Sequence, residues 1–350
     1  MGLLAHRLSG DEMKKISLLL TIILGLTSCA GGSQKGGGAG PSSTSSQTNK
    51  TSSVASMSQK SSSLGTSSTS SPTNTSSSIA TGPGEPHINE AGGLPAGYES
   101  IFSDEFDKDG APDPTKWGYD VDMNKGGWPS GEKQYYSNAR SKNARVENGK
   151  LVIEAHRERL NATEFPDWGG QEYTSARLFT RDKFTFTYGF VEVRAKTTCQ
   201  IGSWPAIWTL ASPLGRGMKW PDDGEIDILE YVGWNSGMVY QTVHTRDYYW
   251  KTNNQKDTIT PIADACTEFH RYQLTWTKDW IKLGIDDRNY LSFKNDGSGN
   301  YGSWPFFQPH YILLNLAVGG DFGGKQGVDD SSFPWTYEVD YVHVFQKKDE

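Results

Sequence analysis

The chain has 350 residues, 34 basic against 41 acidic, with a net charge of −7. That balance speaks against a polyanion-binding surface, so nucleic acid is not an expected partner. Hydrophobic content is only 35% while aromatics reach 12%, and no Phe, Trp or Tyr precedes Tyr98. The sequence therefore reads as a non-folding front third followed by one acidic, aromatic domain, large enough to bury a substantial core.

In chain order, residues 13–29 come first. Lys14 and Lys15 precede an apolar run, residues 16–26, interrupted by Ser17, Thr21 and Gly25. The run is short for a membrane span and has the shape of a secretory signal. Leu26-Thr27-Ser28-Cys29 resembles the bacterial lipobox, in which the Cys is lipidated. Residues 1–29 are thus expected to be a signal peptide started at Met13, with Cys29 as a lipid anchor. A plain signal peptide with an incidental Cys is the alternative. Within residues 41–81, 26 of 41 side chains are Ser or Thr. Residues 30–85 cannot bury enough apolar surface to offset their chain entropy and should form a disordered tether. The expected location is the bacterial cell envelope, facing the periplasm or the exterior.

Residues 86–350 form the remaining domain. Short alternating segments, at 151–155, 184–188, 191–195, 272–277, 281–285, 311–318 and 339–345, are separated by Gly, Asn, Asp and Pro. They predict an all-β sandwich or barrel. Trp and Tyr exceed what one core requires, so some should line an open outer face. Cys199 and Cys266 are either free thiols or a bridge, which spacing cannot decide.

The most informative stretch is Trp220-Pro221-Asp222-Asp223-Gly224-Glu225-Ile226-Asp227-Ile228-Leu229-Glu230. On a regular strand Glu225 and Asp227 share a face, and Glu230 points the other way. One bulge near Ile228-Leu229 brings all three carboxylates to one side. Glu225 and Glu230 are then roughly 13 Å apart along a flat backbone, and leaning side chains close much of that gap. A retaining glycosidase needs its carboxyls about 5–5.5 Å apart, an inverting one about 6.5–9.5 Å. Crowded acids also repel, so at least one should keep a proton near neutrality, as a general acid must. A solvated acidic strand and a hard-cation site are the bland alternatives. Trp204-Pro205-Ala206-Ile207-Trp208 upstream and His244 downstream favour sugar chemistry, because indole faces suit the C–H faces of sugar rings.

These residues resemble glycoside hydrolase family 16, in particular its laminarinase-like endo-β-1,3-glucanases. The resemblance runs in order through Phe102-Ser103-Asp104-Glu105-Phe106, Tyr173-Thr174-Ser175-Ala176-Arg177-Leu178 and Tyr188-Gly189-Phe190-Val191-Glu192-Val193-Arg194. It continues through the Trp-rich and acidic segments, Phe269-His270-Arg271-Tyr272, Leu314-Asn315-Leu316-Ala317-Val318-Gly319-Gly320 and Val339-Asp340-Tyr341-Val342. It implies a β-jelly-roll sandwich with a concave substrate cleft, with Glu225 as nucleophile, Glu230 as acid/base and Asp227 tuning the pair. Trp204, Trp208, Trp220 and His244 match subsite residues. Arg177 and Asn315 are further candidates for sugar hydrogen bonds, and Trp128 and Glu132 for a non-reducing-side subsite. That last loop, Gly127 to Tyr136, lacks the family's Asn pair, and His343 stands where the family usually has Arg. The resemblance also implies a structural calcium held by Glu105, the Gly149 carbonyl and Asp340, and no cofactor for catalysis.

The expected activity is retaining, endo-acting hydrolysis of β-1,3 links in laminarin-type glucans, by a monomer. Mixed-linkage β-1,3-1,4-glucan and marine galactans are the alternative substrates, since the same catalytic strand serves them. A non-catalytic surface glucan-binding protein is the rival of another class.

Overall fold

The computed structural model describes residues 97–213 and 215–348. The expected signal peptide, the Cys29 anchor and the tether lie outside them. Seventeen strands follow in chain order: β1 (Tyr98–Asp104), β2 (Gly118–Tyr119), β3 (Gln134–Tyr136), β4 (Ala144–Val146), β5 (Leu151–Arg157), β6 (Tyr173–Ser175), β7 (Arg177–Phe179), β8 (Gly189–Lys196), β9 (Ser203–Ala211), β10 (Glu225–Tyr231), β11 (Met238–His244), β12 (Lys256–Pro261), β13 (His270–Trp276), β14 (Trp280–Ile285), β15 (Arg288–Lys294), β16 (His310–Val318) and β17 (Trp335–Lys347). One sheet has the order β12-β11-β10-β9-β16-β7-β2. The other runs β15-β14-β13-β8-β17-β5-β6-β3, with β1 on β17 and β4 on β5. The fold is the β-jelly-roll sandwich that the strand pattern and the resemblance anticipate.

Alternation builds the core. From the β10 sheet, Ile207, Ile226, Val243, Leu314 and Leu316 face inward, and from the other sheet Val191, Val193, Leu274, Leu283, Val342 and Val344 meet them. All nine residues of β16 are buried, so its outer face is covered as well. That outer face carries a second cluster, Phe179, Leu210, Tyr311 and Leu313, against which Trp208 and Met218 pack. Aromatic excess is therefore spent on both faces of one sheet, and the outer face becomes the floor of the site.

Residues 184–188 differ from expectation. Alternation predicts a strand there, but Phe186 makes only an isolated bridge to His310, and Tyr188 has φ +63°. The Phe184 and Phe186 rings stack 5.9 Å apart, which holds the segment as an irregular wall. Cys199 and Cys266 form a disulfide with their Cα atoms 5.8 Å apart. It ties the loop entering β9 to the loop before β13.

Candidate active site

The site is built on β10. Gly224, just before it, has φ +91°, and a Cβ there would come within 2.7 Å of the Phe306 ring. Only glycine turns the chain into the strand at this angle without displacing that ring. Asp223 anchors the preceding loop. It receives Arg216 Nη1 at 2.7 Å, the Lys219 backbone N–H at 2.6 Å and the Tyr301 hydroxyl. Burial alone would raise the Asp223 carboxyl, but Arg216, Tyr301 and Lys219 hold it down to about 2. This ionised anchor fixes the loop that presents Trp220.

The expected bulge is present. Against β11, Asp227 pairs with Thr242 and Glu230 with Tyr240, so two residues on β10 oppose Gln241 alone. Against β9, Asp227 pairs with Trp208 and Leu229 with Ile207, so the shift falls at Ile228. Ile228 and Leu229 both enter the core, which is what the extra residue achieves. Glu225, Asp227 and Glu230 consequently share the outer face.

Each glutamate has its own indole. Trp220 Nε1 donates to Glu225 Oε2 at 2.9 Å, and Trp204 Nε1 donates to Glu230 Oε1 at 3.0 Å. Trp204 and Trp220 were expected only as sugar platforms; they also orient the two carboxylates. One ligand atom each of Glu225, Asp227 and His244 lie within 4.8 Å of one another. His244 Nε2 is 3.4 Å from Asp227 Oδ2. Burial lowers His244 to about 4, so the ring is neutral near neutral pH and contacts Asp227 without adding a positive charge.

Electrostatics separates the three acids. Burial pushes Glu225 up to about 7, while hydrogen bonds from Trp220 and Asp227 and the Arg177 charge oppose it. Burial, then the Glu225 charge, raises Glu230 to about 7, opposed only by Trp204. Burial and both neighbouring glutamates hold Asp227 well above the carboxylate range. Protonated Asp227 therefore donates to Glu225. Two donors and a nearby cation favour the anion at Glu225, whereas Glu230 has one donor and an anionic neighbour. These contacts favour the anion at Glu225 over that at Glu230.

A stability consequence follows. The folded value of Glu230, about 7, lies above its ordinary 4.5. The stability it contributes as a neutral acid is complete below that ordinary value and is lost as pH rises through the folded one. Glu230→Gln should therefore melt higher than the wild-type protein at about pH 8, by on the order of 1–3 kcal/mol. The gap should close on acidification to about pH 4.5, and thermal melts across that range check it.

The other expected sugar contacts are distributed differently. Arg177 is buried, pairs with Asp120 at 3.1 Å, and sits 4.6 Å from the Trp208 ring centroid and 5.0 Å from that of Trp128. Asn315 is buried, accepts from Trp208 Nε1 at 2.7 Å and donates to the Tyr136 hydroxyl at 3.1 Å. Tyr136 in turn donates to Glu132 at 3.0 Å. Arg177 and Asn315 thus brace Trp208 from below rather than projecting toward a ligand. Trp128 needs a correction: it is 5% exposed, its N–H is spent on Asn124, and its ring edges onto Tyr136. It supports the floor and offers no open platform. Glu132 is partly exposed and accepts from Gln134 and Tyr136, with burial raising its pKa.

The calcium set does not fit as arranged. Glu105 meets His343 Nε2 at 2.6 Å, and Asp340 pairs with Arg194 at 2.5 Å. Both carboxylates already face side-chain donors, whereas a hard cation wants six to eight converging oxygens. Gly149 occupies the turn before β5.

Sequence reasoning missed a second aromatic group. Phe322, in the helical turn Gly320–Gly323 after β16, meets Trp204 edge-on at 5.5 Å, Tyr240 at 4.9 Å and Trp234 at 6.3 Å. On the other side Tyr249 meets Trp220 at 5.9 Å. Aromatic walls thus flank both glutamates. The signal for Phe322 was its place two residues after the Gly319-Gly320 motif.

Two carboxyls with raised pKa values on one sheet face, between aromatic walls, are the groups that glycoside cleavage uses. The family model for glycosyl hydrolases family 16 matches residues 131–343. A beta-glucanase of Rhodothermus marinus is 45% identical over 254 residues, covering 71% of this chain and 85% of that protein. A glucan endo-1,3-beta-glucosidase A1 of Niallia circulans is 33% identical over 72% of this chain, which spans 38% of its length. The crystal structure of a non-specific endo-beta-1,3(4)-glucanase is 49% identical with a TM-score of 0.69, covering 73% of this chain and 94% of that one. The chain belongs to family 16 and is a glycoside hydrolase.

Proposed function

We propose that the protein is an endo-acting β-1,3-glucanase that cleaves laminarin-type glucans with retention of configuration. Glu225 attacks the anomeric carbon while Glu230 protonates the departing glycosidic oxygen. Water then attacks C1 of the glycosyl-enzyme, Glu230 now takes the proton, and the bond to Glu225 breaks. Asp227 donates to Glu225 and steadies its charge. The observation that carries the reading is the β10 bulge, with each glutamate oriented by a separate indole. The names of the relatives favour β-1,3 and mixed β-1,3(4) glucans.

The test is product release from laminarin, lichenan, agarose and carrageenan, with the first-formed anomer read by NMR. Laminarin should be cut internally, with the β-anomer appearing first. Preferred cleavage of agarose or carrageenan, or an α-anomer first, contradicts the reading, and glucan retardation in a native gel without cleavage favours the binding-protein rival. The Leu26-Thr27-Ser28-Cys29 segment supports a lipid-anchored enzyme of the cell envelope. Cys29→Ala should then move the activity from the membrane to the soluble fraction, and unchanged membrane retention would argue against the anchor.

A further inference from the structure

The bulge that aligns the two glutamates leaves the Ile228 carbonyl outside both strand registers. The residue opposite it on β11 is Gln241, fully buried on the core side of the sheet between Val239 and Val243. Gln241 Nε2 donates to the Ile228 carbonyl at 2.8 Å. The same nitrogen donates to the Gly284 carbonyl, on β14 of the opposite sheet, at 3.2 Å. Gly284 also lies at a register shift, where β14 meets β15. One amide therefore bridges an irregularity in each sheet across the core.

We infer that Gln241 is a positioning residue for catalysis: its side-chain amide clamps the β10 bulge and thereby sets where the Glu230 carboxylate stands relative to Glu225. This rests on the double-displacement reading above. The clamp acts asymmetrically along the strand. Glu225 precedes the bulge and pairs with Leu210 and His244, while Glu230 pairs with Ala206 and Tyr240 only in the register shifted by the extra residue. Glu230 follows the bulge, so its direction depends on how the extra residue is accommodated. Because side chains alternate with period two, any relaxation of the extra residue carries Glu230 away from the shared face and leaves Glu225 in place. Loss of the clamp should then resemble loss of the acid/base and not loss of the nucleophile.

The test compares wild-type full-length enzyme, Gln241→Met and Glu230→Ala. Met keeps the volume of Gln241 and removes both donors. Two substrates separate the effects: laminarin, whose leaving sugar needs protonation, and 2,4-dinitrophenyl β-laminaribioside, whose leaving group does not. Sodium azide is the probe. It attacks C1 of the glycosyl-enzyme, the C1–O bond breaks, and the electron pair returns to the Glu225 carboxylate, giving a β-glycosyl azide. On laminarin, kcat of Gln241→Met should fall by about 10²-fold, the scale of a misplaced group, with KM nearly unchanged. Azide should accelerate its turnover of the aryl glycoside and yield glycosyl azide, as for Glu230→Ala. A kcat within about threefold of wild type, well short of that misplacement scale, overturns the inference. So does a fallen kcat in a folded variant that shows no azide response, since a purely structural defect produces no glycosyl azide. If Gln241→Met does not fold, Gln241→Asn, whose shorter amide cannot span both carbonyls, carries the same measurements. Absence of azide rescue in Glu230→Ala itself would count against the double-displacement reading, which separates the two failures.

Discussion

Glu225→Ala is expected to lower laminarin turnover by about 10⁴-fold or more, the scale seen when a covalent nucleophile is removed. Glu225 accepts from Trp220 and Asp227 and lies in the field of Arg177, so it is the acid the site prepares to hold as an anion. Alanine removes the group that forms the bond to C1, and Asp227 is a poor substitute. Burial and the Glu230 charge, both of which remain in the variant, still push its carboxyl up. Steady-state rates on laminarin, with a thermal melt to establish folding, check this. A wild-type-like rate would remove the catalytic assignment.

Glu230→Gln should reduce kcat on laminarin by about 10²–10⁴-fold, the range for a lost general acid–base. It should also change the pH profile. The wild-type rate requires an ionised Glu225 and a protonated Glu230, and both are displaced to about 7, so the pair titrates as a unit around neutrality. Activity should fall on the acid side as Glu225 takes a proton and on the alkaline side as Glu230 loses one. Glutamine has no proton to lose in this range, so the alkaline limb should flatten in the variant. A profile with an unaltered alkaline limb would assign that proton to another group.

Much of this centre was legible in the sequence because strand parity is a hard constraint. Glu225 and Glu230, five apart, cannot share a sheet face without an extra residue, and the Ile228-Leu229 pair was the place for it. The two-sheet sandwich was legible for a similar reason: Val191 and Val193, or Leu274 beside Tyr272, alternate as half-buried strands do. What escaped depends on contacts between residues distant in sequence. Nothing local to Trp128 distinguishes a buried brace from an open platform. That difference comes from Asn124, Tyr136 and Arg177 closing around it. Arg177 and Asn315 have hydrogen-bonding groups suited to a sugar, but β7 and β16 bury them beneath Trp208. Residues 184–188 alternate correctly and still form no strand, and the positive φ at Tyr188, the last of them, breaks the extended path into β8. Gln241 carried no sequence signal, since one polar residue in an apolar strand face acquires meaning only from the carbonyls it meets.

The most direct test of the whole account is covalent trapping. An activated 2-deoxy-2-fluoro β-laminaribioside should slow breakdown of the glycosyl-enzyme enough for peptide mass mapping. The predicted result is one sugar adduct per chain, carried by Glu225 and absent from Glu225→Ala. An adduct on Glu230 or Asp227, or inactivation-free turnover with no adduct in a protein that does cut laminarin, would contradict the account.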